Sequence, residues 1–194
     1  QIRRLAATLQ ARGVDVLLTR EPGGSPGAEA LREILLSGAA KGYGPVAETI
    51  LLAAARDDHL EVTIRPALEV GRWVLCDRFT DSTRAYQGVL GDVDPALIRA
   101  IERVVVAGTR PDLTIVLDIP AAEGLRRARQ RGGAADRFES EGLAYHERLR
   151  QAFLTIAAHE PQRCVVVDAA RDEETIARDI AGIVRQRLGA GPGR

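Results

Sequence analysis

A chain of 194 residues with 45% hydrophobic and 28% charged residues is long enough to bury an ordinary core as one domain. Its 27 basic and 27 acidic residues cancel to a net charge of zero, so no global field draws it to nucleic acid or to a membrane surface. No apolar run reaches transmembrane length, no stretch reads as a signal peptide, and there is neither a CxxC nor a Cys/His metal spacing. The chain opens on "QIRRLAATLQARG", where Ile2, Leu5, Ala6 and Leu9 recur at helical spacing. Gly13 ends this helix and Val14–Thr19 reads as a strand. A Pro-Gly-Gly loop leads to a helical run around Ala28–Leu36. A longer helical stretch, Ala47–Gly71, is expected to bend or break near Pro66.

Arg72–Asp77 reads as the second strand, followed by a polar loop to Gly91. A helix from Pro95 carries Leu97, Ile98, Ile101, Val104 and Val105 on one face. Pro111–Asp118 is the third strand. After it come an arginine-rich helix to Arg131, a break at "GGAAD", and a helix from about Glu141 to His159. Arg163–Asp168 is the fourth strand. The last helix carries Ile176, Ile180, Ile183, Val184 and Leu188, and residues 189–194 read as a flexible tail. Short, nearly continuous apolar strands alternating with helices predict an α/β domain over residues 1–188, its parallel sheet covered on both faces. Ligands of such sheets gather at the carboxyl ends of strands, where Arg20, Asp77, Asp118 and Asp168 fall. Cys76 and Cys164, each in an apolar strand, read as buried, inert thiols of a reducing cytosol. His59, His146 and His159, in polar helical contexts, read as surface residues.

Three segments carry chemistry. "TREPGG" (Thr19–Gly24) leaves the first strand; its glycines allow a close backbone approach to a ligand beside Arg20 and Glu21, or make a tight turn with a surface ion pair. "DRFTDSTRAYQG" (Asp77–Gly88) sets Asp77 and Arg78 at a strand end, with Ser82, Thr83, Tyr86 and Gln87 beyond. An arginine there can hold a phosphate in a bidentate fork, and hydroxyls and an amide can read a base or sugar edge. The alternative is a polar loop that satisfies its own backbone. "RRARQRGGAADRFE" (Arg126–Glu139) holds five arginines, with Arg127 and Arg131 on one helical face and Arg126 beside Arg129. It reads either as a lid closing over phosphates or as a solvated face in a chain whose basic residues, Lys41 excepted, are all arginine.

In order and wording, "TREPGG", "DRF..S..AYQG", "RPDLTIVLD" and the arginine-rich lid (about residues 126–139) ending in "DRFE" resemble the successive motifs of thymidylate kinases, over Gln1–Leu188. The resemblance implies a three-layer P-loop NTP hydrolase-like fold and phosphoryl transfer from ATP to dTMP with Mg2+, giving dTDP and ADP for dTTP synthesis. It also implies a cytoplasmic homodimer with neither nucleic acid nor membrane as partner. It further implies a first strand and a G-x-x-x-x-G-K-[ST] phosphate loop leading into a helix like "QIRRLAATLQARG". Neither is found in these 194 residues. The expectation is therefore a longer natural protein that is active and a polypeptide from Gln1 that is not; a non-catalytic nucleotide-binding descendant of a kinase is the alternative.

By the same resemblance, Arg78 holds the dTMP phosphate near the ATP γ-phosphate, with Asp77 beside it in the phosphate and metal region. Arg56 matches an arginine that hydrogen-bonds thymine. Ser82 and Thr83 lie where the base is contacted, Tyr86 packs under the sugar with Gln87 next to it, and Arg20, Glu21 and Pro22 shape the same pocket. Arg127, Arg129 and Arg131 are the candidates for neutralising transition-state charge, the lid being of the bacterial type. Asp168, Ala169, Ala170 and Arg171 match a loop beside adenine. One position departs from the pattern: Leu52 stands where a phenylalanine usually stacks on thymine, which implies a weaker grip on the base by about 0.5–1.5 kcal/mol.

Overall fold

The computed structural model describes residues 1–131 and 141–189. α1 (Ile2–Gln10) turns Ala6 and Leu9 inwards, and the chain reverses at Gly13, whose φ of +81° suits glycine, before β1 (Val16–Arg20). α2 (Pro26–Leu36) begins with proline at its first position, where no amide is needed. α3 (Gly44–His59) runs through a π-helical turn (Leu60–Ile64) into α4 (Arg65–Glu69). Pro66 therefore does not break the helix. The wide turn shifts the hydrogen-bond register just ahead of the residue that has no N–H to give.

β2 (Trp73–Asp77) leads into α5 (Thr80–Thr83) and a second π-helical turn, Arg84–Leu90. This corrects the expected polar loop to Gly91. The side chains of Asp81 and Arg84 face protein partners rather than water, and Ala85 is fully buried. α6 (Pro95–Val106) is capped by Asp94, which accepts from the Ala96 amide at 2.7 Å. β3 (Thr114–Asp118), α7 (Ala121–Arg131), α8 (Leu143–His159), β4 (Cys164–Asp168) and α9 (Glu173–Leu188) follow in order. The lid stretch 132–139, the Arg131 side chain and tail residues 190–194 lie outside the described residues.

All pairing is parallel. β1 and β2 run in register from Val16 opposite Trp73 to Arg20 opposite Asp77; β3 and β4 run from Thr114 opposite Cys164 to Asp118 opposite Asp168. Among the described residues these form two two-stranded sheets, with no ladder joining β2 to β3. One apolar core nevertheless serves both: Ala6 and Leu9 of α1 and Ile176, Ile180 and Val184 of α9 pack with Val16 and Val167, and Leu75 and Ile115 rest on the same cluster. Each such valine, leucine or isoleucine contributes roughly 1.5–3 kcal/mol when fully buried. α4 packs on β2 and α8 on β3 and β4, so helices cover both faces; Leu149 and Ala152 of α8 enclose Ala85 in a second cluster.

Ion pairs also bind the two halves. Arg163, just ahead of β4, forks onto Asp81 of α5 at 2.7 and 2.9 Å and reaches Glu160 at 3.0 Å. Arg84 contacts Glu102 of α6 at 2.6 Å and Glu160 at 2.5 Å. Paired carboxylates raise the pKa of both guanidiniums further, and bidentate geometry of this kind is the strong form of the contact.

Candidate active site

Because both ladders are in register, their charged ends coincide: Arg20 opposite Asp77 and Asp118 opposite Asp168. This is the edge at which parallel α/β sheets receive ligands. On the β1–β2 side the chain after Arg20 turns at once into the protein. Glu21 is 6% exposed and is followed by a cis bond to Pro22. Its carboxylate accepts from Arg56 Nε at 2.8 Å, and Arg56 Nη2 donates to Thr83 Oγ1 at 3.1 Å. The Arg56 guanidinium also lies 5.2 Å from the Phe79 ring centre, within cation–π range. Arg56 and Thr83 are as buried as Glu21. So Glu21 of "TREPGG", Arg56 of α3 and Thr83 of "DRFTDSTRAYQG" meet at one point, although three separate elements supply them.

His59 completes the group and corrects the expectation of a surface residue. It is fully buried, with Nε2 2.7 Å from Thr19 Oγ1 and Nδ1 3.3 Å from Glu21 Oε1. The signal for it was present: His59 follows Arg56 by three residues and Ala55 by four, on the buried stripe of α3. His146 is half-buried; His159 is exposed, as expected.

The turn above the cluster is clamped from three directions. The Gly24 amide donates to Glu29 at 2.8 Å, the Gly24 carbonyl accepts from Thr63, and a Cβ on Gly24 would fall 2.4 Å from His59 Nε2. With φ at +90° as well, no other residue type fits there. The Gly24 amide, with Arg20 nearby, holds the Glu29 carboxyl below its ordinary range. Asp58, beside His59, accepts from Ser25 Oγ at 2.6 Å and from the Ala28 amide at 3.0 Å, which fixes the start of α2 and lowers its own pKa. Sequence reasoning did not single out Asp58, Glu29 or Thr19.

Asp77 and Arg78 stand exposed at the end of β2. Arg78 has a φ of +70°, a left-handed backbone that non-glycine residues adopt at a cost, commonly at functional positions. Its guanidinium donates to Tyr86 Oη at 3.3 Å and lies 5.5 Å from that ring's centre. Tyr86 in turn meets Phe153 edge-on. Ser82 is half-buried and Gln87 buried on the same helical segment, and Leu52 sits half-buried one turn before Arg56.

Across the seam, Asp118 is gripped by Arg150 at 2.7 and 3.0 Å, which lowers its pKa. Arg127 donates to the carbonyls of Ala169 and Ala170 at 2.9 and 3.1 Å and to Glu123 at 2.8 Å. Bonds from Arg126 and Arg127 pull the Glu123 carboxyl down to about 2. Arg127 thus ties α7 to the loop after β4, in which Arg171 pairs with Asp179 at 2.7 Å and caps the carbonyl of the exposed Asp168. Arg129 lies on the exposed side of α7. Burial raises the pKa of both Cys76 and Cys164, as inert thiols require. Among the described residues no helix is long and apolar enough to cross a membrane, and no cluster of three or more metal-ligating side chains is present.

The parallel α/β layering gathers arginines, carboxylates and hydroxyl groups at its strand ends, where such folds bind ligands, and is consistent with the P-loop NTPase class of fold. The family model for thymidylate kinase matches residues 1–180. A thymidylate kinase of Caulobacter vibrioides is 59% identical over 189 residues, covering 97% of this chain and 90% of the relative. One of Bradyrhizobium diazoefficiens is 55% identical over 190 residues, covering 97% and 83%. The chain belongs to the thymidylate kinase family.

Proposed function

We propose that this protein transfers the γ-phosphoryl group of ATP to dTMP, giving ADP and dTDP for dTTP synthesis. The observation that carries the reading is the convergence of Arg56, Glu21 and Thr83 in one buried, hydrogen-bonded group beside exposed Arg78 and Asp77. A planar guanidinium fixed on two sides suits the edge of a thymine, with Ser82, Gln87 and Leu52 around the base and Arg20 and Pro22 bounding the pocket. Tyr86 packs under the sugar. Arg78 takes the dTMP phosphate in its fork. On the other side of the seam, Asp168, Ala169, Ala170 and Arg171 receive the adenine. Arg127 holds that loop, and Arg129 and Arg131 are left as the lid arginines that neutralise charge on the transferring group.

The exposed carboxylate of Asp77 would hold the Mg2+ that accompanies ATP, an ion that takes only one or two carboxylates from a protein. When bound, the ion neutralises phosphate charge. The apolar side chains exposed on α3, Val46 and Ile50, fit a homodimer contact.

The test is a coupled assay of ADP release with ATP, Mg2+ and a panel of nucleoside monophosphates, on the natural-length protein and on residues 1–194 alone. Turnover is expected for the natural-length protein with dTMP preferred. None is expected for the 194 residues, which contain no G-x-x-x-x-G-K-[ST] loop to cradle phosphates. Nucleotide binding without turnover by the natural-length protein would support a non-catalytic role instead.

A further inference from the structure

We propose that His59 is a positioning residue of the dTMP site, acting through Glu21 on the guanidinium of Arg56; this rests on the reading of Arg56 as the thymine contact. The geometry is a relay of side chains: Thr19 Oγ1 to His59 Nε2 at 2.7 Å, His59 Nδ1 to Glu21 Oε1 at 3.3 Å, Glu21 Oε2 to Arg56 Nε at 2.8 Å, and Arg56 Nη2 to Thr83 Oγ1 at 3.1 Å. A carboxylate paired with arginine can only accept, so the imidazole proton sits on Nδ1 and points at Glu21. In the neutral ring Nε2 is then the acceptor and the Thr19 hydroxyl donates to it. Both ring nitrogens are thus assigned, and the ring cannot rotate without losing two bonds.

The consequence for Arg56 is directional. A glutamate held only by arginine could swing with it, whereas one oxygen of Glu21 is pinned by His59 and only the other faces Arg56. Glu21 and Thr83 then take two of the five N–H groups of the fork and fix the plane in which the rest point. Thr19 lies on β1 and Gly24 closes over the ring, so the relay is anchored to the sheet rather than to a mobile loop. His59 touches no ligand position itself; its role is to hold the residue that holds the reader.

The experiment is steady-state kinetics on the natural-length protein with His59→Ala, His59→Asn, His59→Gln, Thr19→Val and Arg56→Lys, with melting curves for each. Asparagine can keep the donor toward Glu21, whereas glutamine reaches toward Thr19 and lets go of Glu21. His59→Ala is expected to raise the KM for dTMP about tenfold, the scale of one lost buried hydrogen bond, with kcat and the KM for ATP changed less than about twofold. His59→Asn should recover most of that rise and His59→Gln little of it. Should His59→Ala fail to fold, Thr19→Val, which keeps the ring and removes its anchor, is expected to raise the same KM by about threefold. Equal rises in both KM values, or rescue by glutamine as good as by asparagine, would mean that His59 only fills space and would overturn the proposal. Arg56→Lys impaired for dTMP beside an unaffected His59→Ala would refute the relay alone. An unaffected Arg56→Lys would remove the dTMP reading beneath it.

Discussion

Glu21→Ala is expected to destabilise the fold by about 3–5 kcal/mol and to abolish detectable phosphorylation of dTMP. The side chains of Glu21 and Arg56 are each only 5% exposed, so the alanine leaves a buried guanidinium facing no carboxylate. It also orphans the N–H of His59. The large penalty follows from this asymmetry: the intact pair contributes little net stability after its desolvation cost, but half a pair is very costly. Glu21→Gln should fall between the parent and the alanine variant, since the amide oxygen still accepts from one neighbour while its NH2 faces the N–H of the other. Urea denaturation of the three proteins, with unchanged m-values, reads the effect directly. A loss below about 1 kcal/mol for alanine would mean that Arg56 escapes to water and that the site is not preorganised.

Arg78→Ala is expected to behave in the opposite way, with kcat/KM for dTMP reduced on the order of 10²–10³-fold and little change in stability. The side chain is exposed, and its role in the proposed reaction is to hold phosphate charge. Arg78→Lys should not restore the rate, because an ammonium cannot fork onto a phosphate. Arg78→Gly should be as inactive as alanine yet at least as stable as the parent, since glycine adopts a φ of +70° without strain. A glycine variant less stable than alanine would show that the left-handed turn is not strained. Kinetics and melting curves on the same preparations decide both points.

The strands were legible from their apolar runs, and their charged ends followed, because parallel pairing in register leaves no freedom about where Arg20, Asp77, Asp118 and Asp168 lie. The segment after Asp77 was not legible. Its polar residues look like a loop until Asp81 and Arg84 find Arg163, Glu102 and Glu160, partners 18 to 82 residues away that no local pattern announces. Pro66 misled in a different manner, because the usual cost of proline assumes an α-helical register and the π-helical turn upstream changes it. His59 was misread through its charged neighbours Asp57 and Asp58, though its spacing from Arg56 put it on the buried stripe. The strand-end and loop residues stood out by type and position, Arg56 and Leu52 through resemblance; what both left out was the wiring behind them.

The separation of the two sheets sorts the backbone amides into two populations. In β2 the N–H groups of Trp73, Leu75 and Asp77 belong to the ladder with β1, so those of Val74 and Cys76 point the other way. In β3 the amides of Thr114, Val116 and Asp118 face β4, and those of Ile115 and Leu117 point away from it. Deuterium exchange of this 194-residue chain should therefore divide each strand residue by residue, alternate positions labelling fast while their neighbours stay protonated. Any segment that came to pair along the other edge of β2 or of β3 would register as slowing at those positions, a readout that needs no assay of turnover.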